Sequence, residues 1–262
     1  MKKILTILVA FCAFNSNAQK VFFSANNNEV NRVVQSQLPP LITAGLIQNL
    51  DANLSNSYGG TGNIWTDIVG GNNGTIVGGT FTTAGGVSYF NFPTASVASY
   101  VSAPLTKSTS MTFSVWAKSN SVPVPNAMLF NTGASGAGPD FFFAGTGFYW
   151  NVWDSYSTPY NDVNNAVLNH TTIVTNTNWH NYTVTVDATN SNTKFYFDGA
   201  WMGTSAYRSP AVSNVLYIGG AGLNDNSWNF LGGISCFHTY NRALSAVEVN
   251  SNFKALKSRF GL

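Results

Sequence analysis

From Leu41 onward, short stretches of alternating apolar and polar residues are separated by Gly, Asn, Pro and Ser at fairly even spacing. That pattern predicts an all-β sandwich rather than helices. Strands are expected at 45–52, 75–77, 87–92, 99–103, 110–118, 127–131, 140–144, 148–153, 179–187, 194–197, 201–204, 215–218 and 231–239. Between Phe195-Tyr196-Phe197 and Trp201-Met202-Gly203, the pair Asp198-Gly199 fits a two-residue hairpin turn, where glycine tolerates positive φ. One helix is expected, over 245–257. Ser245 with Glu248 three residues on forms a capping box, and Val249, Phe253 and Leu256 share one apolar face.

The first 40 residues read differently. Lys2-Lys3, an apolar stretch from Ile4 to Phe14, and small residues at Ser16 and Ala18 predict a secretion signal over 1–18, cleaved before Gln19. The apolar stretch is too short for a membrane anchor, which needs about 20 residues, and Cys12 follows Phe11, not the small residue a lipoprotein signal uses. The mature chain is expected to be exported: periplasmic, cell-surface or extracellular. Residues 19–40, ending in Pro39-Pro40, are expected as an extended arm or linker, serving as a spacer or as a segment that docks on a partner. Residues 41–262 form the remaining domain, including the helix.

Composition narrows the function. Charged residues make up 8% of the 262-residue chain, and 84 Asn, Ser and Thr face only 22 formal charges, so recognition runs mainly through neutral hydrogen-bonding groups. The formal charge of +2 falls to zero once Lys2 and Lys3 leave with the signal. Sequence-independent nucleic-acid binding, which needs a concentrated cationic surface, is excluded. Loss of Cys12 leaves Cys236 alone, so no intrachain disulfide forms and stability rests on the core. Cys236 is expected as a buried small hydrophobe.

Several segments resemble the laminin-G-like, concanavalin A-like jelly-roll domains of secreted bacterial proteins. They are Gly45-Leu46-Ile47-Gln48-Asn49-Leu50-Asp51-Ala52 with the loop to Gly74-Thr75; Met111-Thr112-Phe113-Ser114-Val115-Trp116-Ala117; Trp179-His180-Asn181-Tyr182 to Asp187 with Phe195-Tyr196-Phe197-Asp198-Gly199; and Gly232-Gly233-Ile234 to Tyr240-Asn241-Arg242. They occur in family order. The resemblance implies a two-sheet antiparallel jelly-roll sandwich with a short C-terminal helix, and ligands bound at edge loops or on a concave outer face. It does not settle function, because that fold carries lectins, glucanases, adhesion modules and structural subunits.

Catalysis finds little support. Glycoside hydrolysis ordinarily needs two carboxyl groups flanking the scissile bond, and the glucanases of this fold place closely spaced Glu and Asp on one strand. Here the glutamates are Glu29, in the arm, and Glu248, in the helix. Asp140, Asp154, Asp162 and Asp225 remain as an Asp–Asp possibility, without the one-residue spacing that puts two on one strand face. His170, His180 and His238 are scattered; His180 and His238 are expected on half-exposed strands. Members of the family hold Ca²⁺ with entry-strand carbonyls and an Asp after the closing-strand Ile, but Ser235 follows Ile234 here. Asp51, Asp225 and Asn226 are left as calcium candidates, with Asp51 alternatively a strand-end cap and Asp225 a loop residue.

Nine of the twenty residues from Phe141 to Tyr160 are aromatic. Strand alternation puts Phe148 and Trp150 on one face and Tyr149 and Trp153 on the other; one set fills the core and the other needs a cover or a ligand. Tyr149, Asn151, Trp153, Asp154 and Tyr156, with Asn226 and Trp228 in a later loop, combine aromatic platforms with amides and carboxylates, the mixture that suits sugar rings. The sequence therefore predicts a secreted, non-catalytic module that binds carbohydrate or a surface polymer. The alternatives are an interaction subunit of a cell-envelope assembly and, third, a hydrolase.

Overall fold

The computed structural model describes residues 21–26, 29–34, 38–92, 98–120, 127–132, 139–144, 147–152, 166–169, 177–207, 209–211, 213–220, 222 and 228–262. The chain divides into two units between Pro39 and Pro40. In the first, β1 (Val21–Asn26) and β2 (Glu29–Val34) pair as an antiparallel hairpin, with Val21 opposite Val34 and Asn26 opposite Glu29. The extended backbone expected for the arm is thus paired with itself. The leader and its cleavage junction lie outside the described residues.

The second unit contains β3 (Leu46–Asp51), β4 (Ile64–Trp65), β5 (Gly74–Val77), β6 (Thr80–Ala84), β7 (Val87–Phe92), β8 (Tyr100–Pro104), β9 (Met111–Ser119), β10 (Ala127–Asn131), β11 (Pro139–Ala144), β12 (Gly147–Val152), β13 (Ala166–Asn169), β14 (His180–Asp187), β15 (Asn192–Phe197), β16 (Ala200–Ala206), β17 (Val215–Ile218) and β18 (Gly232–Tyr240). Helix α1 (Ala246–Leu256) and a 3-10 turn (Lys257–Phe260) follow. Among the described residues, the named strands pair antiparallel. The first sheet runs β16-β15-β14-β9-β18-β7-β6, with β3 also on β18; the second runs β13-β12-β11-β10-β17-β8-β5-β4. Strand β18 takes two partners on one side, β7 along Gly232–Ile234 and β3 along Cys236–Tyr240, with an irregularity at Ser235 between them.

Alternation along β9 and β14 turns Phe113, Val115, Tyr182, Val184 and Val186 into the space between the sheets, where they meet Trp65, Phe90, Phe130, Phe141 and Phe237. Their rings pack tilted or edge to face at about 5 Å, as ring quadrupoles favour; Phe130 to Phe237, for example, is 5.2 Å at 80°. The opposite face of β9 is covered by the C-terminal segment. Phe253 and Phe260 both stack on Trp116, at 5.6 and 4.0 Å. Ser245 caps α1 with the expected reciprocal box to Glu248, and Glu248 is further gripped by Arg242 at 2.7 Å. Asp198 and Gly199 both have positive φ, 48° and 73°, as the tight hairpin requires. Among the described residues no helix is long and apolar enough to cross a membrane.

Candidate functional site

The outer face of the second sheet carries one continuous row of paired residues. Ile64 stands opposite Thr75, Thr75 opposite Ser102, Ser102 opposite Tyr217, Tyr217 opposite Asn131, Asn131 opposite Asp140, and Asp140 opposite Asn151. Directly opposed residues of a ladder share a face, so the row crosses β4, β5, β8, β17, β10, β11 and β12 at about 4.8 Å per strand. The intervening residues Ile76, Val101, Leu216 and Ile218 belong to the core, which fixes this row on the outside.

Exposure changes along the row. Ile64 is 46% exposed, Thr75 is exposed, and Ser102 and Tyr217 are half-buried, whereas Asn131 and Asp140 are 0% and 2% exposed. Its open part is therefore β4-β5-β8-β17. Tyr100, two residues before Ser102 and on the same face, sets its ring at 90° to Tyr217 with centroids 5.5 Å apart. Each ring limits the other's motion, which leaves a pre-formed aromatic corner beside the hydroxyls of Ser102 and Thr75. Gly222 packs where any side chain would collide with the Tyr217 ring, at 2.1 Å from a Cβ, so the loop is held close to that tyrosine.

Of the residues singled out from sequence, Tyr149 and Asn151 lie on β12, opposite Phe142 and Asp140. Position 150 stands opposite core residue Phe141, so positions 149 and 151 take the other parity, that of the row. Trp153, Asp154, Tyr156 and Asn226 lie outside the described residues. Trp228 is half-buried and precedes Asn229, which bridges Met128 on β10. Tyr100, Tyr217 and Ser102 escaped sequence reasoning because they come from two short strands more than a hundred residues apart.

The calcium candidate Asp51 is otherwise occupied. Its Oδ1 accepts from the Asn53 backbone N–H at 2.9 Å, and both its oxygens accept from Arg259 Nη1, at 2.9 and 2.7 Å. A carboxylate facing a guanidinium and amide donors does not fit a cation site, which needs further oxygen ligands. The strand-end cap is what Asp51 provides, through the Asn53 N–H. Ser235 donates to the Ser88 carbonyl and accepts from the Asn53 side-chain amide, both at 2.7 Å; its hydroxyl ties β18 to β7 and to the turn after β3 through neutral contacts. Asp225 and Asn226 lie outside the described residues. Among those described, no group of three His, Cys, Asp or Glu is placed to hold a metal ion.

The histidines depart from expectation, for both are buried. His180 Nδ1 lies 2.7 Å from Asp198 Oδ2, while the Asn181 backbone N–H donates to Asp198 Oδ1 at 2.8 Å, so the pair ties β14 to the hairpin turn. His238 faces the C-terminal segment. Burial drives its pKa down to about 4, with Arg259 pushing the same way and Asp51 opposing. Cys236 is fully buried beside Arg259, and burial raises its thiol well above the ordinary range, which matches the inert small hydrophobe expected.

A family model, the concanavalin A-like lectin/glucanases superfamily, matches residues 84–250. No curated protein matches the sequence. Among solved structures, Trypanosoma rangeli sialidase as a covalent intermediate with 2,3-difluorosialic acid is 14% identical, with a TM-score of 0.61, covering 86% of this chain and 37% of that one. The same sialidase with sialic acid is 14% identical, with a TM-score of 0.60 over 86% and 36% of the two chains. The binding domain of Paraclostridial Mosquitocidal Protein 1 is 15% identical, with a TM-score of 0.57 over 80% and 52%. The chain thus spans little more than a third of the sialidase and about half of the toxin-domain chain; at these identities the likeness is one of fold.

Proposed function

This chain belongs to the concanavalin A-like lectin/glucanase superfamily, and from that premise we propose that it is an exported, non-catalytic module that binds carbohydrate or another surface polymer. The observation that carries this reading is the open outer row, in which Tyr217 and Tyr100 form a right-angled corner flanked by Ser102 and Thr75. A sugar ring offers an apolar C–H face and a rim of hydroxyls, and this corner offers an aromatic surface and neutral hydrogen-bonding groups to match. One structural neighbour is itself a toxin's binding domain, which fits the same use of the fold. The test is affinity electrophoresis through gels cast with polysaccharides. Retardation of the wild type, lost in Tyr217→Ala or Trp153→Ala, supports the reading; identical mobility of wild type and variants on every polysaccharide removes it.

A second reading has its own observation. The β1–β2 hairpin offers strand edges with which a partner can pair, and this supports reading the chain as an interaction subunit of an envelope assembly. Co-purification after gentle extraction, with and without residues 19–40, decides that point. Hydrolysis ranks third, and reducing-sugar release from a polysaccharide panel measures it directly.

A further inference from the structure

The basic residues are segregated in the fold. No lysine or arginine occurs between Lys118 and Lys194, a stretch that includes β10 to β13 and every loop joining them. Strands β4, β5, β8 and β17 contain none either. Within the second unit the described cations belong instead to the first sheet, the C-terminal segment and the crossover from β8 to β9, while Lys20 and Arg32 fall in the first unit. Lys118 lies over the rings of Tyr89 and Trp179, Arg242 holds Glu248, and Arg259 holds Asp51. Lys194 is on β15, and Lys254 and Lys257 are on the C-terminal helical segment. Lys107 follows β8 in the crossover to β9, where Ser108 hydrogen-bonds the Asn241 carbonyl. Arg208 lies outside the described residues. Acidic residues occur on both sheets: Asp51 and Asp187 belong to the first and Glu248 to the C-terminal helix, whereas Asp140 sits in the outer row of the second, and Asp154 and Asp162 fall in the chain between β12 and β13.

We infer that the ligand of this outer face is an uncharged glycan, and that sugars bearing carboxylate or sulfate are selected against. The inference rests on the binding reading above and specifies its chemistry. A bound anion regains its lost hydration best from charge-assisted bonds to cationic donors, whereas the row from Thr75 to Tyr217 supplies neutral hydroxyls and aromatic rings. A neutral sugar needs no such donor. The sialidase neighbours, both holding sialic-acid-type ligands, therefore share the sandwich without implying an anionic ligand here.

The test compares the full mature chain on neutral polymers (β-glucan, mannan, chitin) and anionic ones (polygalacturonate, chondroitin sulfate, sialylated glycans) at low and high salt. Retention by at least one neutral polymer, unchanged by salt and at least about tenfold stronger than by any anionic polymer, supports the inference. Thr75→Lys, which places a cation in the exposed part of the row, should then gain salt-sensitive retention on the anionic polymers while its thermal midpoint stays unchanged. Wild-type retention by an anionic polymer equal to or above that on neutral ones overturns the inference and leaves the binding reading standing. Retention by neither class overturns both, so the two failures are distinguishable.

Discussion

The Phe260 ring lies flat on the Trp116 indole, with centroids 4.0 Å apart and planes 8° from parallel. This stack is the centre of the seal that the 3-10 turn places over the first sheet, with Trp179, Tyr89 and Val87 around it. Phe260→Ala removes a buried aromatic from that seal and should cost about 3 kcal/mol, read as a lower denaturation midpoint. Glycan retention by the second sheet, measured well below that midpoint, should be unchanged.

The ion pair between Arg259 and Asp51 is set in a similarly enclosed position, Asp51 being 3% exposed. Removing one member of such a pair leaves the other charge buried and uncompensated. Arg259→Gln should therefore cost about 3 kcal/mol, and the double variant Asp51→Asn with Arg259→Gln should cost less than the single one. With Asp51→Asn completing the cycle, single losses that sum to the loss in the double variant would show that the pairing itself contributes nothing.

Stability should fall with acid in two stages. His238 has a folded pKa of about 4, below its ordinary value of 6.5, so the unfolded chain binds the proton first and stability declines as pH drops from about 6.5 toward 4. Glu248 is held at about 2 by Arg242 and the Ser245 cap, against 4.5 ordinarily; its contribution is present above 4.5 and fades as pH falls toward 2. Denaturation midpoints measured against pH should show the first stage vanish in His238→Gln and persist in Glu248→Gln.

Two exposed or half-exposed aromatics should separate binding from folding. Tyr217→Ala removes one wall of the aromatic corner and should weaken glycan retention about tenfold or more with little change in thermal midpoint. Trp201, 59% exposed on the edge strand β16, lies on the other sheet, and Trp201→Ala should leave both quantities as they were.

Much of the fold was legible along the chain. Strands at 127–131 and 215–218, the Asp198-Gly199 turn and the Ser245 capping box are local features, each carried by a few adjacent residues, and the structure has them where the sequence places them. Strand β4 is two residues long, and β6, with Thr80-Phe81-Thr82-Thr83-Ala84, offers one large apolar residue; neither makes a periodic pattern, and both were missed. The site was harder to read. The aromatic density at 141–160 drew attention to β12, yet the open part of the row is made of Ile64, Thr75, Ser102 and Tyr217. No linear motif links them, because lateral pairing and not sequence order makes them neighbours. His238 looked half-exposed because only its own strand was visible in sequence, whereas the covering segment comes from residues after 245.

The return of the C-terminal segment to Asp51 has a mechanical meaning. Leu46 and Tyr240 mark one end of the β3–β18 ladder and Asp51 and Cys236 the other. The chain leaves β18 at Tyr240, then doubles back so that Arg259 grips Asp51. Tension between residues 40 and 262 therefore reaches the Arg259 latch and the Phe260 stack before it reaches the ladder. Only when that latch slips does the pull act at Leu46 and Tyr240, where backbone bonds open singly, like a zip.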